Sequence, residues 1–192
     1  MYAVYNIWDT RFKDGPPPEW ENKTETVAKW TDEHRERVLQ ALSELPEELW
    51  RTQLKGIYRL SKSILFPNPS SQMGETIVLY DTAFDKERRL SRVLAHELAH
   101  VQYLHMTDKY REGYRRTLGW KDTLLDGRTI RWAERPGNYV ESDGRQGPRE
   151  DFANNLEYYL FESNVLRVKT PQAYDWMKSH YGDKFKIGKG TK

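Results

Sequence analysis

The sequence predicts one α+β domain over residues 1–192, with a small mixed sheet and a long helix followed by a helical C-terminal part. Three observations predict it. Residues 56–60 (GIYRL) and 75–80 (ETIVLY) have strand composition. Residues 85–105 carry Leu90, Val93, Leu94, Leu98 and Val101 as one apolar helical stripe. Gly147-Pro148 and Thr170-Pro171 then each open a helix, because proline suits the first helical turn.

The elements follow in order. Residues 1–8 (MYAVYNIW) read as a short strand, stopped by Asp14, Gly15 and the prolines at 16–18. Thr31, Asp32 and Glu33 start a helix whose Val38, Leu39, Leu42 and Leu45 keep helical spacing up to Pro46. A short helix is expected over 46–53, and residues 67–74 are expected to be loop. Residues 108–146 mix charge, glycine and aromatics with weak periodicity, so irregular structure is expected there, with a hairpin around 125–132. The helix begun at Gly147-Pro148 is expected to reach Leu166, the last to end near Gly182, and residues 183–192 to form a flexible tail.

Composition narrows the function classes. Twenty-five aromatic residues (7 Trp, 12 Tyr, 6 Phe) supply large packing units, enough for a modest core despite a mean hydropathy of -0.93. The 31 Lys+Arg nearly balance the 29 Asp+Glu, so neither nucleic acid nor another polyanion is the expected partner. The absence of cysteine excludes disulfides, cysteine-ligated metals and cysteine nucleophiles. No apolar run reaches the roughly 18 residues of a membrane span, and residues 1–11 lack the pattern of an export signal. A soluble protein is expected, with no membrane partner; its compartment and oligomeric state stay open, secretion or effector export included.

His96-Glu97-Leu98-Ala99-His100 is an HExxH motif inside the long helix. Residues four apart on an α-helix differ by about 40° around the axis and about 6 Å along it, so both imidazoles can meet one metal ion. Glu97 lies about 100° from His96 and is expected to act as general base on a water rather than as a ligand. Zinc, one per chain, suits this set, since it acidifies its water and polarises a carbonyl under attack. A third ligand is needed. His105 sits about 140° around the helix from His100 and is expected to be a surface or packing histidine. Tyr103 and Met106 stand where the longer HExxHxxGxxH pattern needs Gly and His. His34 and His180 have no partner spacing. A carboxylate of the later helix fits better: Glu150 lies in its first turn, where the helix dipole favours an anion. Glu157 competes with it, while Asp151 points elsewhere.

HELAH, then EDFA about fifty residues later, an aromatic YYL stretch and the PQAYDW helix together resemble the gluzincin peptidases related to anthrax lethal factor and the Pro-Pro endopeptidases. The resemblance spans roughly residues 76–181 and is specific at the two motifs. It implies a zincin-like fold, hydrolysis of a peptide bond in a protein or peptide substrate, His96, His100 and Glu150 as zinc ligands, and Glu97 as the base. Two positions depart from the family pattern. The second glutamate that often follows the ligand by four residues is Asn154 here, and the tyrosine that often precedes it by seven is Asp143. Tyr139 is the expected substitute for that tyrosine, as an oxyanion donor, with aromatic packing as the alternative.

These departures leave a second reading open, a catalytically degenerate zincin that binds zinc for stability and acts through protein contacts. The lethal-factor resemblance is also compatible with a toxin or effector protease of narrow specificity. Trp20, Trp30, Trp50, Trp120, Trp132 and Trp176 read as core or loop anchors, and the charged run 86–92 as a solvated helix face, although a basic rim there could favour acidic substrates. The run 75–80 has two readings: a sheet strand without a substrate role, or an edge strand that pairs with extended substrate.

Overall fold

A computed structural model describes residues 8–18, 25–62, 68–85, 89–125, 129–133 and 135–187. The fold is mixed α and β, mostly helical, with a small three-stranded sheet. The expected strand at 1–8 and the far end of the tail, 188–192, fall largely outside the described residues. No helix among the described residues is long and apolar enough to cross a membrane.

The chain divides into two compact units, Met1–Val101 and Gln102–Lys192. In the first, β1 (Gly56–Leu60), β2 (Ser70–Met73) and β3 (Thr76–Tyr80) pair in the order β1-β3-β2. β3 runs parallel to β1 and antiparallel to β2. All five residues of β3 are buried, which is why its sequence TIVLY is continuously apolar or β-branched rather than alternating. Because β3 is the central strand, paired on both sides, it cannot accept a substrate strand; that possibility for 75–80 is overturned, and among the described residues the antiparallel edge is β2.

β2 corrects the expected loop at 67–74. Its sequence SSQM lacks strand propensity, and it is a strand because Gly74, at φ 54°, turns the chain back onto β3 in the register Met73 to Thr76. α1 (Asp32–Ser43) starts as expected, with the Thr31 hydroxyl accepting from the His34 amide at 3.2 Å, and buries Val38, Leu39, Ala41 and Leu42. The short α2 (Glu47–Trp50) follows, and the Trp50 carbonyl accepts the buried Trp8 indole N–H at 3.0 Å. α3 (Leu90–His105) buries Leu90, Leu94, Leu98 and Val101 along one stripe, with Ala95 and Ala99 beside them. Among the described residues it begins at Leu90, residues 86–88 lying outside them, and Asp81–Phe84 forms a 3-10 turn.

The second unit begins within α3. Residues 108–118, expected to be irregular, form α4 (Asp108–Leu118). Its ends carry the signals that its interior lacks: Thr107 caps the first turn, and Gly119 at φ 83° closes the last. β4 (Lys121–Leu125) and β5 (Thr129–Ala133) form the expected hairpin. α5 (Pro148–Phe161) ends sooner than expected: Glu162 leaves helical geometry at φ -140° and its carbonyl starts α6 (Ser163–Lys169). Ser163 and Asn164 are weak helix formers, which suits a break there. α7 (Pro171–Tyr181) ends before Gly182 as expected, but the flexible tail expected from 183 does not begin there: Asp183–Phe185 forms a 3-10 turn, Phe185 is buried, and the Ile187 amide donates to the Leu160 carbonyl at 3.0 Å.

The core of this unit is aromatic. Tyr103 packs on Phe152 and Tyr114 at ring separations of 5.3 and 6.3 Å, and Trp176 packs on Tyr114 at 5.1 Å. Trp30, Trp50, Trp120 and Trp176 are buried anchors, as expected; Trp20 and the Trp132 side chain lie outside the described residues. Of the charged run 86–92, Lys86–Arg88 are likewise outside them, while Arg89 pairs with Glu44 at 3.0 Å.

Candidate metal centre

α3 brings the two motif histidines together as the 3.6-residue repeat requires. Their Nε2 atoms are 3.1 Å apart, with the rings nearly perpendicular at 87°. Two imidazole nitrogens on one tetrahedral zinc ion lie roughly 3.3 Å apart, so the pair is already spaced as ligands. His96 is half-buried and His100 is 4% exposed.

Glu97 lies between them in sequence and is also 4% exposed. The Ser70 hydroxyl donates to its Oε1 at 2.7 Å, whereas its buried Oε2 has no hydrogen-bond partner among the described residues. A buried carboxylate oxygen without a donor is costly, and the motif keeps one next to two metal-competent histidines. Local sequence pattern does not reveal Ser70, because it belongs to β2. The signal available in the sequence was Gly74, which could have marked a hairpin joining 70–73 to β3.

Glu150 occupies the first turn of α5, after Pro148. Its neighbour Asp151 anchors that turn. Asp151 is 1% exposed and takes two bonds from Arg135, Nε to Oδ2 at 2.7 Å and Nη2 to Oδ1 at 3.0 Å. It also accepts from the Trp120 indole at 2.9 Å and from Asn155 at 3.0 Å, and Asn155 reaches the Tyr114 hydroxyl at 2.9 Å. Burial would lower the affinity of Arg135 for its proton, but the Asp151 carboxylate outweighs it and the guanidinium is held above its ordinary value. Consecutive helical residues point about 100° apart, so an Asp151 fixed inward leaves Glu150 facing elsewhere, as expected.

One ligand atom from each of His96, His100 and Glu150 lies within 4.8 Å of the other two, so these three side chains could hold one metal ion. Asp151, Glu157 and His105 are not in this group. His105 is exposed, as expected for a surface histidine. His34 bonds the Thr31 hydroxyl, and His180 stacks on Trp176 at 3.7 Å.

The remaining expected residue, Tyr139, is half-buried and held by its ring. Arg135 lies over its face at 4.2 Å, Trp120 meets it edge-on at 6.0 Å, and its hydroxyl donates to the Arg135 carbonyl at 3.3 Å. Asn154 donates to Asp143 at 2.6 Å. Neither any protein-family model nor any curated protein sequence matches this chain.

Proposed function

We propose that this chain is a zinc-dependent endopeptidase that hydrolyses a peptide bond with Glu97 as general base. The observation that carries the reading is the joint geometry of the motif: His96 and His100 Nε2 atoms 3.1 Å apart, Glu150 within 4.8 Å, and a buried Glu97 carboxylate with one oxygen unengaged among the described residues. Two imidazoles and one carboxylate are the donor set of hydrolytic zinc sites that keep an open position. A bound zinc ion would supply Lewis acidity, polarising a carbonyl and acidifying water.

The protein's own part is proton handling. Ser70 holds Glu97 Oε1, which leaves Oε2 to take a proton from the attacking water and later deliver it to the leaving amine. An edge strand near the base is suited to extended peptides, and Ser70 belongs to the edge strand β2. A toxin or effector protease of narrow specificity is one form this activity would take.

The second reading, a zinc-stabilised protein-binding module, is favoured by a different observation. Asn154 and Asp143 bind one another where the resembled family has an additional glutamate and a tyrosine. Cleavage of a diverse peptide library by zinc-loaded protein, read by mass spectrometry beside Glu97→Gln, decides between the two. Cuts that vanish in Glu97→Gln, with metal content unchanged, are expected. Full zinc occupancy with no Glu97-dependent cut would sink the peptidase reading.

A further inference from the structure

Beside Glu150, within the second unit, lies a cavity of about 470 Å³ whose walls include Tyr103, Asp108, Arg111, Arg115 and Arg149. Arg111 and Arg115 are one turn apart on α4, so both guanidiniums project from one face, and Arg149 directly precedes Glu150 at the start of α5. Their present anions are weakly committed. Asp108 bonds Arg111 at 2.6 Å yet its side chain is 96% exposed, and Glu112 bonds Arg115 at 2.7 Å yet is 48% exposed. The two arginines are themselves only 28% and 22% exposed. The Arg111 guanidinium also donates to the Leu104 carbonyl at 3.2 Å and Arg115 also meets Tyr103, so both are held in place; the solvated anions add little to them, and a carboxylate delivered into the cavity would take the place of those anions with less-screened bonds. Tyr103 adds a neutral phenol, since burial raises it above its ordinary value.

We infer that this arginine-lined cavity is a substrate subsite for a carboxylate, either an acidic side chain flanking the scissile bond or the C-terminal carboxylate of a short peptide. The assignment rests on the peptidase reading for its placement beside the reacting bond. Arginine rather than lysine suits the task, because the planar guanidinium matches a carboxylate with two parallel donors.

The test separates binding from cleavage. The zinc-loaded 192-residue chain carrying Glu97→Gln is immobilised and offered three pools of short N-acetylated peptides. The first contains Asp and Glu with amidated ends. The second replaces these with Asn and Gln, and the third is the second pool with free C-terminal carboxylates. Retention of the first or the third pool about tenfold above the second is expected. Enrichment of the first assigns an acidic side chain, and enrichment of the third a chain terminus. The preference should collapse in Arg115→Gln/Arg149→Gln, checked as folded by its melting curve, and return in part with Arg115→Lys. Equal retention of all pools, no retention of any, or a preference that survives in the folded double variant would overturn the subsite. Glu97-dependent cleavage by the wild-type chain without acidic preference would overturn it and leave the peptidase reading standing. Carboxylate-dependent retention without any cleavage would do the reverse.

Discussion

The Asn154 amide donates to Asp143 Oδ1 across 2.6 Å, and this bond ties α5 to the 3-10 turn Ser142–Gln146 that precedes it. An amide can donate to a carboxylate, whereas a glutamate at 154 would set two like charges together. Asn154→Glu is expected to destabilise the fold by about 2 kcal/mol, since residue 154 is buried. Asp143→Asn added to it should recover most of that loss. Urea unfolding of the two single variants and the double variant checks the coupling; additive losses would refute it.

Ser70→Ala is expected to lower turnover about tenfold at unchanged KM and metal content, because the Oε1 of Glu97 loses its donor. Ser70→Thr, which keeps a hydroxyl, should retain most of the activity. Steady-state kinetics on a peptide found in the library screen, with metal analysis, checks both.

Asp151→Asn should be among the most damaging single changes in the second unit. Arg135 and Asp151 are 4% and 1% exposed, and removing one member of a buried pair costs about 3–5 kcal/mol. Zinc affinity is expected to fall with stability, since Asp151 fixes the turn that carries Glu150. Denaturant unfolding with and without zinc separates the two effects.

Tyr139→Phe removes the bond to the Arg135 carbonyl but keeps the ring that Arg135 covers, so a stability loss of about 1 kcal/mol or less is expected. Its turnover tests the oxyanion role. Full activity in Tyr139→Phe would assign the residue to packing alone.

Chelation should abolish cleavage with a modest loss of thermal stability, because the aromatic core of the second unit and the sheet of the first contain none of the three ligands. Zinc at a thousandfold excess over its Kd stabilises by about 4 kcal/mol at most. Glu150→Ala and His100→Ala should reduce zinc per chain, measured by atomic absorption. A chelated protein that unfolds outright would favour the zinc-stabilised module instead.

The histidine pair was legible because it needs only helical periodicity: four residues apart is one turn, whatever the surroundings. Glu150 was legible for a related local reason, the proline-opened helix just before it. α4 was not, since it buries only Tyr114 and Leu118, too few to print a period on a charged segment. Ser70 and Arg135 were hidden for another cause. Their partners, Glu97 and Asp151, lie 27 and 16 residues away, and such meetings are set by packing that no local pattern encodes.

The lock on Asp151 also makes the chain just upstream intolerant of length changes. One residue inserted between Asp151 and Glu150 would rotate everything before it by about 100° about the helix axis and shift it 1.5 Å along, exchanging the carboxylate for another side chain. Point substitutions at Arg149 leave that indexing intact. Drift in this segment is therefore expected as replacement rather than insertion or deletion, because the buried aspartate counts residues for its neighbour.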